Sequence, residues 1–88
     1  MERFTIICDY KGGTYISQVQ ANDAAQSVTT WAEFLRRERP IPDASELVAQ
    51  AARENPTDIV PLDGLIGAWC WTGKAGKNLI LAHIIQSA

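Results

Sequence analysis

The residues whose types could do chemistry together are the thiols of Cys8 and Cys70 and the imidazole of His83, the only histidine in the chain. An imidazole within hydrogen-bond reach of a thiol makes a nucleophile. The strand register argued below sets Cys70 opposite Leu79, so His83 lies farther along by the spacing from 79 to 83. That offset is about 13 Å at about 3.3 Å per residue, and no catalytic dyad is expected. No metal is expected either, because there is no second imidazole and no pair of neighbouring thiols. Two cysteines in this setting read as buried small hydrophobes, not as a disulfide framework.

Other patterns dissolve on inspection. Gly73-Lys74 follows Gly67, but a phosphate-binding loop needs Gly, four residues, then Gly-Lys with Ser or Thr. Ala75 stands where the hydroxyl belongs. Of the carboxylates, Asp23, Asp43 and Glu46 suit helix caps and Asp63 a turn. Asp9 has no evident acid-base partner. Arg36, Arg37 and Arg39 are interleaved with Glu38 and preceded by Glu33, as at a solvated helix end. No catalytic residue, no cofactor and no cofactor-binding residue is assigned. A fuller constellation is Trp69, Trp71, Lys74 and Lys77, since rings on a sheet flanked by cations can stack bases and contact phosphates.

The elements that position these residues follow from hydrophobic periodicity. Phe4, Ile6, Cys8 and Tyr10 alternate with Arg3, Thr5, Ile7 and Asp9, and a second run covers Thr14 to Ala21. A two-residue Gly12-Gly13 loop predicts Tyr10 opposite Tyr15, Cys8 opposite Ser17, Ile6 opposite Val19 and Phe4 opposite Ala21. One face is then apolar and the other mixed. Asp23 with Gln26 predicts a capped helix with an inner stripe of Ala24, Val28, Trp31, Ala32 and Leu35, stopped by Pro40-Ile41-Pro42. Asp43 with Glu46 predicts a second capping box, and a shorter helix through Leu47, Val48, Ala51 and Ala52 ends before Pro56.

After an extended piece around Ile59 and Val60, Leu65 to Thr72 and Lys77 to Gln86 predict a second hairpin around Gly73-Lys74-Ala75-Gly76, with Thr72 opposite Lys77. Trp69, Trp71, Ile80, Ala82 and Ile84 share one face. Ile66, Ala68, Cys70, Leu79, Leu81 and His83 share the other. Both are apolar, and one helix layer covers only one. The surplus must meet the mixed face of the first hairpin curling over it, irregular chain, or a partner molecule.

The expected fold is therefore α+β: an antiparallel sheet of two β-hairpins in the order ββααββ, with an extra short strand near Ile59 as an option and two helices packed on one face. One domain, 1–88, suffices for a chain of 88 residues. No apolar run approaches the roughly 20 residues of a membrane span, and no signal-peptide core precedes Asp9-Tyr10-Lys11. The expected location is cytoplasmic. A formal charge of -2 supplies no general attraction for nucleic acid or anionic lipid.

The stretch Tyr10 to Leu35, a glycine turn followed by an Ala-containing helix, resembles the strand-strand-helix start of HicB-type antitoxin domains. That resemblance implies an antitoxin-like regulator. It covers about a third of the chain, and neither a DNA-binding helix-turn-helix nor a counterpart of the Trp-rich hairpin accompanies it. The leading expectation is a non-enzymatic protein-protein interaction module or homodimer using the C-terminal hairpin through Ile66, Leu81 and His83, or Trp69 and Trp71. The alternative is small-ligand or single-stranded nucleic-acid binding by Trp69 or Trp71 with Lys74 and Lys77.

Overall fold

The structure is a computed structural model that describes residues 1–87. The elements run β1 (Glu2–Tyr10), β2 (Gly13–Ala21), α1 (Ala24–Glu38), α2 (Ser45–Glu54), β3 (Ile59–Pro61), β4 (Ala68–Ala75) and β5 (Asn78–Ser87). All five strands join one antiparallel sheet in the order β2-β1-β5-β4-β3. The α+β class, the two hairpins and the extra strand at Ile59 are as the sequence predicts.

The hairpins are joined edge to edge, β1 pairing with β5 from Arg3 opposite Ser87 to Tyr10 opposite Ile80. The mixed face of the first hairpin therefore continues the reverse face of the second in one plane and does not curl over it. Both helices lie on the side of Phe4, Ile6, Cys8, Trp71, Ile80, Ala82 and Ile84, which are buried with Val28, Trp31, Ala32, Leu35 and Val48 in one core. Trp31 of α1 meets Trp71 of β4 edge-on, ring centroids 5.8 Å apart at 80°. The Trp71 indole N–H donates to the Asn55 carbonyl at the end of α2, 2.8 Å away. Trp71 thus ties both helices to the sheet, and its polar atom is satisfied where burial would otherwise penalise it.

Both predicted hairpin registers require correction. The first turn is Lys11-Gly12, with φ of 48° and 82°, so that Tyr10 faces Gly13 and Cys8 faces Tyr15. Positive φ at both central residues is the type I′ requirement, and Gly13 is the first residue of β2. In the second hairpin Ala75 faces Asn78 and Thr72 faces Leu81, so the turn is Gly76-Lys77. Gly73 belongs inside β4 because the Trp71 ring lies over it: a Cβ there would stand 2.6 Å from Trp71 Cη2. The strand also starts later than predicted, since Leu65 and Ile66 precede Gly67 at φ 76°.

The first helix begins as its sequence predicts. Asp23 Oδ1 accepts from the Gln26 amide at 2.8 Å, while the Gln26 side chain accepts from the Asn22 amide. Its stripe of Ala24, Val28, Trp31, Ala32 and Leu35 is buried, and Arg39 closes it at φ 50° with its amide on the Leu35 carbonyl. The second capping box does not form. Asp43 lies at φ 57°, Ala44 occupies the cap position with no side-chain cap, and Ser45 Oγ instead ties the preceding corner by accepting from the Ile41 amide at 2.9 Å. The tight corner that buries Ile41 leaves Asp43 in a left-handed conformation, so its carboxylate does not cap the helix. Leu47, placed on the inner stripe by spacing, is exposed, and Ala49 is buried instead.

Candidate functional site

Strand parity divides the sheet into a face under the helices and a face with no helix on it. The uncovered face carries Thr5, Ile7 and Asp9 from β1, Ile16 and Gln18 from β2, Leu79, Leu81, His83 and Ile85 from β5, Cys70 and Thr72 from β4 and Val60 from β3. Across its middle runs one row, Val60-Cys70-His83-Ile7-Ile16, each member opposite the next. The two ends of the row are open, Val60 at 64% and Ile16 at 67% exposure, as is Leu79 at 59%. Cys70, His83, Ile7, Leu81 and Ile85 between them are half-buried by their neighbours.

The row corrects the predicted separation of Cys70 from His83. They are direct cross-strand partners, which places their Cβ atoms about 5 Å apart. The separation expected from the sequence was too large because it centred the turn two residues too early in the glycine-rich segment, and each residue of turn displacement moves the partner by two, here from Leu79 to His83. Among the described residues no third catalytic group stands beside the pair in its row: the other neighbour of His83 is Ile7, and Asp9 lies in the next row, accepting a hydrogen bond from Thr14 Oγ1 at 2.7 Å. No group of three or more potential metal ligands occurs among the described residues of one chain.

Of the other candidate residues, Leu81 and His83 lie on the uncovered face and Ile66 is fully exposed beside it, just before β4. Trp69 and Trp71 are on the helix face. Trp71 is fully buried, and Trp69 is half-buried against Phe4, centroids 6.1 Å apart. Lys74 has the parity of Cys70 and so faces away from both tryptophans, while Lys77 sits in the turn. The sheet therefore separates the aromatic rings from Lys74, one of the two lysines that a base-stacking platform would use beside them.

Ile7, Ile16, Val60 and Ile85 are members of the face that the sequence did not single out. The signal for Ile7 and Ile16 was their place on the mixed face of the first hairpin. The pairing of β1 with β5 turns them into neighbours of His83.

Cys8 and Cys70 are both free and have opposite parity, Cys8 aligning with Ala82 and Trp71 on the helix face. Burial, with a smaller contribution from the Asp9 charge, pushes the Cys8 thiol up to about 12. A concavity of about 420 Å³ lies between β2 and α1 and is lined by residues that include Val19, Thr30, Glu33, Phe34 and Arg37; neither cysteine nor His83 lines it. No helix is long and apolar enough to cross a membrane. Comparison with protein-family models, curated proteins and solved structures finds no match.

Proposed function

We propose that this protein is a non-enzymatic interaction module that pairs with a second copy of itself through the uncovered face of its sheet. The observation that carries the reading is the Val60-Cys70-His83-Ile7-Ile16 row, a band without Asp, Glu, Lys or Arg across all five strands with no helix over it. Along its flank, Gln18 bonds Thr5 and Thr14 bonds Asp9 across β1 and β2, so these polar pairs stand beside a row that is apolar apart from Cys70 and His83. That is the anatomy of an interface core with a polar rim.

A second copy is favoured over an unlike partner by charge. The charged residues that strand parity puts on this face are Arg3, Asp9 and Lys74, all exposed and none in the central row, so two copies meet without like charges at the centre. Five strands spaced about 4.8 Å apart and about seven rows of about 3.3 Å give a flat area of about 500 Å² per copy. Two copies then bury about 1,000 Å², the lower limit for a specific interface. The reading describes a reversible dimer with its sheets packed face to face. It extends to a cytoplasmic location, which the two free thiols support.

Sedimentation velocity over a dilution series tests the reading, with Leu81→Lys as the variant. The expected result is a concentration-dependent dimer that the lysine abolishes. A protein that stays monomeric at high concentration overturns it. So does a dimer indifferent to Leu81→Lys, which would put the contact elsewhere, such as the exposed edge of β2.

A further inference from the structure

We propose that Cys70 and His83 are half of a tetrahedral site for a zinc-like divalent cation, completed by Cys70 and His83 of a second copy. The proposal rests on the self-pairing reading and adds a ligand to it. Its first support is position. His83 is third of five in its row, on the third of five strands, near the middle of β5. A two-fold axis relating two copies of one patch passes near the patch centre and brings the same central residues together. The central residues here are an imidazole and, on the next strand, a thiol.

The second support is chemistry. Sulfur and nitrogen donors are the ligand set of structural zinc, with Zn–S about 2.3 Å and Zn–N about 2.0 to 2.1 Å. Sheets packed face to face stand about 10 Å apart, which puts an ion at the midplane about 5 Å from each backbone plane, within reach of a Cys or His side chain plus one coordination bond. One chain supplies only these two ligands in the row, in keeping with the lack of any three-ligand group among the described residues. The site is therefore incomplete without the second copy. Binding removes one proton from each Cys70 thiol. Two thiolates and two neutral imidazoles around a divalent ion leave no net charge, which suits a position walled by Ile7, Val60, Leu81 and Ile85.

The test uses the untagged full chain. Sedimentation is run with chelator and with zinc chloride, and cobalt chloride is titrated in while thiolate-to-cobalt absorption is followed. The expected result is one metal per two chains, thiolate-to-cobalt bands from the wild-type protein, and a dimer at least tenfold tighter with zinc. Cys70→Ser and His83→Gln should each remove the zinc effect. A dimer in chelator that Leu81→Lys abolishes but zinc does not change overturns the metal site and leaves the pairing intact. A monomer with and without zinc overturns both. Zinc-driven association that survives Cys70→Ser and His83→Gln overturns the site, as does cobalt bound without a sulfur band. The cobalt spectrum is read on the unmutated chain, so a variant that fails to fold does not shield the proposal.

Discussion

Cys70 on β4 and His83 on β5 are direct cross-strand partners at the middle of a sheet face that carries no helix. Replacing His83 by cysteine tests that relationship directly. Opposed residues of antiparallel strands have Cα atoms about 4.5 to 5.5 Å apart, within the range a disulfide bridges. Under mild oxidation His83→Cys should form a 70–83 disulfide, seen as a loss of two hydrogens in mass and as protection from alkylation. Had Cys70 faced Leu79, the thiols would lie about 13 Å apart and would remain free.

Trp71 joins the two helices to the sheet, and its removal should be among the costliest single changes in the chain. Trp71→Ala should lose about 3 to 5 kcal/mol. Trp71→Phe should lose less, in part through the lost hydrogen bond to the Asn55 carbonyl, about 0.5 to 1.5 kcal/mol for that bond. Gly73→Ala should cost about 1 to 3 kcal/mol, because the added methyl meets a buried indole. At Gly13 the same change meets only the half-buried Tyr15 ring, which can swing outward, and should cost less. Chemical denaturation of the four variants checks the order.

The two helix starts should respond differently to mutation. Asp23→Ala removes a side-chain cap and should cost about 1 kcal/mol. Asp43 caps nothing and lies at φ 57°, so Asp43→Gly should be neutral or stabilising, as glycine relieves the left-handed conformation. Ser45→Ala should cost about 1 to 3 kcal/mol by orphaning the buried Ile41 amide. Thermal unfolding of the three variants distinguishes this arrangement from a capping box at Asp43.

Burial raises the Cys8 thiol from 9.0 to about 12, which makes stability fall in alkali. Below pH 9 both folded and unfolded chains hold the proton, and the thiol has no pH effect. Between pH 9 and about 12 the unfolded chain gives up the proton that the folded chain keeps. The slope approaches about 1.4 kcal/mol lost per pH unit. Cys8→Ala should be less stable at neutral pH yet lack this slope. Urea midpoints of both proteins from pH 8 to 11, compared as a difference, isolate the thiol from other groups titrating there.

The chain itself determined which side of each strand is apolar, where α1 begins and ends, and that the last hairpin is apolar on both faces. These properties are local: alternation has a period of two, capping spans a few residues, and proline stops a helix wherever it stands. The predicted registers were displaced by two residues in the first hairpin and four in the second. Even displacements keep every side chain on its own face, so the core was legible although the pairings were not. Which residues stand opposite one another depended on where each glycine-rich turn closes, at Lys11-Gly12 and at Gly76-Lys77, with Gly13 and Gly73 drawn into the strands beside the Tyr15 and Trp71 rings. Which apolar face the helices cover, and that β1 lies beside β5, depend on contacts between distant segments. The tertiary structure alone therefore brought Cys70, His83, Ile7 and Ile16 into one row.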